Sequence, residues 1–558
     1  MTVLPDRAYE QARAAVFGTA VAARPVVLRL STVLAACMLA GVFVRAFHVL
    51  SFDFPLNDGG LFFAMTRELQ DAGYSLPSMT YYNGSDIPFA YPPFGFYVAA
   101  LFDDLTPLSL LDVFRFLPWL ATSLTVPAFY LLARSILHSQ AAVVASVFAF
   151  ALIPRGYIWL LMGGGVTRSL GFLFALLALY YVYQVYKEGR PSAIVLASLF
   201  CGLTVLSHLE TAWFLAFSSA IFFVAFGRSR RAMTSSLFVA IGTVVVAAPW
   251  WASVLAEHGT EPFLAAAGTG GTIISGGEAT RGAYLGLLRF VSTSEPLFPF
   301  LGTLALFGAL ACIVTRRYFL AAWWAAIVLL EVRGFPTYTT VPIAMLAGIG
   351  ITEVLLPLLF RKPAEAGEQP RGPSSWEVPG RVTPAASLPL LLLAGLVVYT
   401  GSAALLRNPV LGAEGQVLTS LSSETREALA WVHEEAPEGS SFLVVPETAF
   451  WEVSRTLEWF PALTGRESVS TVQGSEWLPD GGFDRARATH HHAWLCGTRT
   501  TVCLEELAEA REVDFTHVYV PNSHACCRNL VRSLGEDAGY ELLYRGPAAV
   551  VYERMPVE

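Results

Sequence analysis

Over roughly the first 400 residues, long apolar stretches alternate with short polar joints, and each stretch approaches the twenty or so residues a helix needs to cross roughly 30 Å of hydrocarbon. They run from Val27 to Leu50, Leu111 to Arg134, Ala141 to Leu161, Ser169 to Tyr186, Ser192 to Leu206, Ala212 to Phe226, Ser235 to Leu255, Phe298 to Val314, Phe319 to Leu330, Val341 to Phe360 and Leu388 to Leu405. The pattern predicts a polytopic all-α membrane domain over residues 27–406 with about eleven crossings. Two joints are long enough to be structure: the loop 51–104, and the Pro/Gly/Glu-rich stretch 361–387, which reads as a flexible linker. Past Leu406 the pattern turns charged and mixed. A helical run from Ser423 to Glu435, with Ser422 or Ser423 as cap, and strand-like runs Ser441 to Val445, His517 to Val520 and Ala548 to Tyr552 predict an α/β domain within residues 407–558.

Composition fits a membrane protein. Apolar residues make up 54% of the 558, charged residues 14%, and the mean hydropathy is +0.52, values that would leave a soluble fold with too much wet apolar surface. The net charge of −8 and the absence of a clustered basic face exclude a nucleic-acid partner. The basic residues set topology instead. Arg7, Arg13 and Arg24 precede the first span, placing residues 1–26 in the cytoplasm. Arg134 with His138, Lys187 with Arg190, Arg228 with Arg230 and Arg231, Arg316 with Arg317, and Arg361 with Lys362 then share that side. The loop 51–104 and the C-terminal domain fall on the outer side of a cell membrane. The first span is full length and lacks a small-residue cleavage pattern, so it is expected to stay as an anchor.

The first outer loop carries the candidate chemistry. Leu61, Phe62, Met65 and Leu69 follow Asn57-Asp58-Gly59-Gly60 at helical spacing, as in an amphipathic helix on the membrane surface. Asp58, in a Gly-rich turn near the membrane plane with Asp53 five residues before it, is either a cap for that helix or a reactive carboxylate. The loop returns through the aromatic segment Tyr81 to Gly95 and an apolar run to Phe102, too short to span, that reads as re-entrant or interfacial. His208 and Glu210 break the pattern between two spans, and ionisable groups at membrane depth point to function. Arg168 follows Gly163-Gly164-Gly165, a turn whose amides can face a phosphate.

These local carriers resemble the GT-C superfamily of polyprenyl-phosphate-dependent glycosyltransferases, which includes protein O-mannosyltransferases and aminoarabinose transferases. The resemblance rests on Asp58 at the start of the first outer loop, the Tyr91 to Gly95 segment that closes it, and the Ser207-His208-Leu209-Glu210 break. It implies transfer of a sugar from a polyprenyl-phosphate-linked donor to a protein, lipid or glycan acceptor at the outer membrane face. The loop acid serves there as general base or orients a metal, which leaves Mg or Mn open. Where many mannosyltransferase-like members have an Asp-Glu pair, this chain has Asp58-Gly59. Chemistry also favours Asp58, since a carboxylate that takes the acceptor's proton helps its oxygen attack an anomeric carbon. One such base suffices for an inverting transfer, with Arg168, Arg281 or Arg333 to hold the departing phosphate. A transporter or lipid-handling protein, or a glycan polymerase or ligase, are the alternatives.

In the C-terminal domain two stretches, Glu458 to Arg466 and Gln473 to Trp477, read as aromatic and polar loops. Glu476 and Trp477 are candidates for acceptor contact, while Trp459 reads as packing against the membrane domain. Cys496, Cys503, Cys526 and Cys527 are disulfide candidates in an oxidising compartment, with Cys496 to Cys503 the preferred bridge. Zinc held by these cysteines and His490, His491, His492 or His524 is the competing reading, and the His run can also be a solvated loop.

Overall fold

The computed structural model describes residues 27–269, 293–331, 334–359, 376–377, 384–406, 418–522 and 526–556. Among these residues six helices are long and apolar enough to cross a membrane: Leu30–Leu50, Leu110–Ile136, Gly165–Lys187, Leu209–Phe226, Arg230–His258 and Phe335–Leu359. Four shorter apolar helices, Pro191–Ser207, Phe300–Val314, Phe319–Leu330 and Pro389–Leu405, lie between or after them. This is a multi-pass membrane protein.

The stretch expected to run straight from Ala141 to Leu161 does not. Gln140–Leu152 and Pro154–Leu161 meet at 77°. Pro154 disfavours a helical conformation in the residue before it, and Ile153 takes an extended one (φ −65°, ψ 113°). The helical unit has one large core, in which Phe129 and Phe150 stack in parallel, 4.1 Å between ring centres, among Leu132, Val147, Phe172 and Leu176.

The first loop also departs from expectation. The apolar face of its helix, Gly60–Asp71, expected against lipid, is covered by protein. Phe63 packs with Phe54, Phe114 and Trp459, and Leu61, Met65 and Leu69 pack with Tyr82, Phe96, Trp250 and Trp477. Phe94–Leu105 is a 12-residue helix after the aromatic segment, packed against the loop helix and the span Leu110–Ile136.

Residues 418–556 hold a five-stranded sheet in the order Glu467–Ser468, Ser441–Val444, His517–Pro521, Ala549–Arg554, Tyr540–Arg545. The first three strands are parallel and the last two antiparallel to their neighbours. Ser422 caps the helix Ser423–Glu435 by accepting the Thr425 N–H at 3.1 Å. One face of the sheet packs on Leu504, Leu507, Leu530 and Leu534 from flanking helices. The other joins a core containing Phe54, Phe63, Phe114 and Leu117 of the loop and its following span, together with Leu429, Phe442, Trp459, Phe460 and Tyr519. Glu458 to Arg466, expected as a loop, lies mostly in the helix Arg455–Thr464, which ends at Gly465 in a left-handed conformation.

Candidate functional site

The backbone of residues 56–60 is clamped between two distant pieces of chain. On one side the Gly163 N–H donates to Leu56 O at 2.8 Å. On the other, Asn57 N–H donates to Thr419 O at 2.7 Å and Trp459 Nε1–H donates to Asn57 O at 2.9 Å. The glycines make this approach possible. A Cβ on Gly163 would stand 2.0 Å from Asp58 O, and Gly59, at φ +123°, turns its backbone against Gly163. The helix that follows is capped at Gly59 without any side-chain bond, so Asp58 is not its cap.

The Asp58 side chain faces Gly164 and Arg168 instead. Its Oδ1 accepts the Gly164 N–H at 2.8 Å, and its Oδ2 pairs with Arg168 Nη2 at 2.5 Å. Both are charge-assisted contacts that fix the direction of the carboxylate. A carboxylate has about four lone-pair sites, so two contacts leave it able to take a proton. The glycine turn expected to offer amides to a phosphate is otherwise engaged: Gly163 and Gly164 N–H serve residues 56 and 58, and Gly165 N–H serves Met162 O at 2.8 Å.

Around this pair the structure gathers several other residues read from the sequence. The Tyr91 hydroxyl lies 3.4 Å from Thr167 Oγ1, and burial pushes its phenol up to about 12. Its ring centre is 5.8 Å from Trp477, edge-on, and 6.5 Å from His208. His208 sits in the break between Pro191–Ser207 and Leu209–Phe226 and caps the second helix, its Nδ1 accepting the Thr211 N–H at 3.3 Å. Thr211 Oγ1 contacts the Tyr338 hydroxyl at 2.9 Å. Glu210 crowds Gly334 closely enough that a Cβ there would meet its Oε1 at 1.9 Å. Glu476 turns back to accept the Gly474 N–H at 2.8 Å.

The structure adds a residue that sequence reading passed over. Glu458, 6% exposed, accepts the Gly59 N–H at 2.8 Å through Oε1 and the Gln473 amide at 3.4 Å through Oε2. Burial first, then the Asp58 carboxylate, push it up to about 8, against the opposing pull of the Gly59 N–H and Arg168. An acid among Leu457, Trp459 and Phe460 on a buried helix is the one sequence signal that marks it. That it meets residue 59 across 399 positions is not legible in a single sequence.

Other expected residues lie elsewhere. Asp53 is not gathered into the site: its carboxylate, 73% exposed, pairs with Arg426 at 2.5 Å because it lies on the opposite flank of the loop turn, beside Arg115 and Ser422. Arg281 and Arg333 fall outside the described residues, as does His524. Cys496 and Cys503 are joined, S–S 2.01 Å, as are the adjacent Cys526 and Cys527. Among the described residues one group, His492 with Cys496 and Cys503, brings its ligand atoms within 4.8 Å of one another, but its sulfurs are bonded to each other and so lost to zinc. The His run is helical, in Gly482–Cys496, not a solvated loop. His490 is buried there against Thr448 O at 3.1 Å.

The family described as dolichyl-phosphate-mannose-protein mannosyltransferase matches residues 90–252. None of the curated proteins matches the chain by sequence. Among solved structures, ArnT from Cupriavidus metallidurans bound to undecaprenyl phosphate is similar over 94% of this chain and 97% of its own, with TM-score 0.51 and 14% identity. The Archaeoglobus fulgidus oligosaccharyltransferase is similar over 88% of this chain and 69% of its own, with TM-score 0.52 and 13% identity. The arabinofuranosyltransferase AftD from Mycobacteria is similar over 94% of this chain and 42% of its own, with TM-score 0.55 and 14% identity. At such identities the likeness is one of fold.

Proposed function

We propose, from the premise that this chain carries the fold of the GT-C membrane glycosyltransferases, that it moves a sugar from a polyprenyl-phosphate-linked donor to an acceptor hydroxyl at the outer membrane face. The observation that carries this reading is Asp58: a carboxylate held by Arg168 and a backbone amide, at the seam between the helical unit and the C-terminal unit. Asp58 takes the proton of the acceptor hydroxyl as its oxygen bonds to the anomeric carbon. The bond from that carbon to the phosphate oxygen breaks, its electron pair leaves with the polyprenyl phosphate, and a single displacement inverts the anomeric centre. Arg168 is engaged in aiming Asp58, so clamping of the phosphate falls to other cations, with Arg281 and Arg333 as candidates. Tyr91, beside Trp477 and His208, is read together with Glu210 and Glu476 as a candidate for substrate contact. The undecaprenyl phosphate bound by ArnT, a protein of the same fold, supports the choice of donor class.

The test is incubation of the purified protein in nanodiscs with a panel of polyprenyl-phosphate sugars, with and without EDTA, comparing wild type with Asp58→Asn. Consumption of one donor that depends on Asp58 is the expected result. Binding of lipid-linked sugars without turnover would favour a lipid-handling protein, and turnover independent of Asp58 would remove it as base.

A further inference from the structure

The cluster beside the seam holds more carboxyls than cations. Among the described residues, Arg168 is the cation that reaches it, and it is paired with Asp58. Glu458 sits against the next peptide group with no cation at ion-pairing distance among the described residues. Among the described residues, the charged groups of the elements around Glu458 are engaged elsewhere: on its own helix, Arg455 bonds the Thr419 hydroxyl. On the loop helix, Arg67 lies over the Phe63 ring, 4.4 Å away, and Glu68 accepts the Tyr81 N–H. On the helix Ser423–Glu435, Arg426 turns to Asp53 and His433 to Thr464 O. Tyr82 donates its hydroxyl to Glu458 O at 2.7 Å, Glu467 of the adjoining strand lies against Gly84, and Gln473 and Glu476 close the remaining side. Two ionised carboxyls close together out of water, with one guanidinium paired to the first, are costly, and the usual relief is a retained proton. Asp58 has the guanidinium and a close amide, and Glu458 has no guanidinium. Glu458 Oε2, whose amide contact is at the long limit of a hydrogen bond, is the better place for the proton.

We propose that Glu458 works as the neutral, proton-bearing partner of Asp58, a positioning residue supplied by the C-terminal unit, and that its ionisation shuts transfer. The second half rests on the donor being a lipid phosphate. Loss of the proton to water sets a second negative charge beside the place where the departing phosphate gains charge, and the field there turns against the anionic donor and its leaving group. The upward push on Glu458 from burial, to about 8, places the change just above neutral pH.

The experiment pairs an infrared titration with transfer measured from pH 6 to 10, on wild type and Glu458→Gln in nanodiscs. Wild type should show a protonated-carboxyl C=O band at neutral pH that fades near pH 8 and is missing from Glu458→Gln. Wild-type kcat/KM for the donor should fall about tenfold between pH 7 and pH 9 along the same curve, while in Glu458→Gln that alkaline limb disappears. A merely structural glutamate would not tie the band to the limb. Absence of the band at neutral pH overturns the proposal, and so does a band that titrates while the two pH profiles of transfer coincide. A band that titrates in a protein that turns over no lipid-linked sugar overturns the glycosyltransferase reading and the shut-off with it, and upholds the proton on Glu458.

Discussion

Asp58 and Arg168 stand 110 positions apart in sequence, and each is defined by the other. Asp58→Asn keeps the shape but removes the proton acceptor and the charge opposite Arg168, so transfer should fall by roughly 10² to 10⁴ fold, far more than the modest drop in thermal midpoint that parallel unfolding measurements should show. Arg168→Ala strands a largely buried carboxylate, which is costly, so both rate and stability should drop. Arg168→Lys should recover stability more than rate, because a flexible ammonium restores charge without the planar fork. Glu458 adds a pH signature to stability. Its carboxyl binds a proton more tightly folded than its ordinary 4.5, so the folded state holds more protons and stability falls as pH rises from about 4.5 to about 8. Thermal midpoints across that window should decline less steeply in Glu458→Gln than in wild type. Asp58 was legible because its Gly-rich turn at a membrane boundary is unusual in sequence. Whether it capped a helix or faced a partner was not, since both need the same residue at the same place and only the direction of its oxygens decides.

At the scale of elements, the glycines of residues 59–60 and 163–165 read as turn formers, but their service is to let two backbones nearly touch. Gly163→Ala would drive a Cβ into Asp58 O, 2.0 Å away, and overpacking of this kind costs about 1–3 kcal/mol. A lowered thermal midpoint with a disproportionate loss of kcat, as the carboxylate leaves its aim, is the expected outcome. The apolar period of Gly60–Asp71 was visible in the sequence, whereas its covering was not. An amphipathic face looks the same whether lipid or Trp459 lies against it. The break at Ile153 shows a similar limit. Hydropathy registers apolar length, and the Pro154 that bends it weighs too little in such an average to be seen.

Across the whole molecule, the core that joins Phe54, Phe63 and Phe114 to Phe442, Trp459 and Phe460 seats the C-terminal unit against the candidate site. Trp459→Ala empties a fully buried indole site and removes the bond to Asn57 O, at a cost of about 3–5 kcal/mol. Unfolding in detergent should show the loss, and the surviving folded fraction should transfer slowly. The alternation of strands and helices after residue 418 could be read locally, because period and turn residues are local signals. The seating of that unit on residues 56–60 depends on contacts across some 400 positions, beyond the reach of any local pattern. That separation bears on biogenesis. A ribosome delivers Asp58 long before it delivers Glu458 and Trp459, and the membrane must be crossed an even number of times between them for both to reach the same side. Each nascent chain is therefore without its assembled candidate site until the helix Arg455–Thr464 has been made, and on the proposed function a translation product that stops short of it should be inserted but inert.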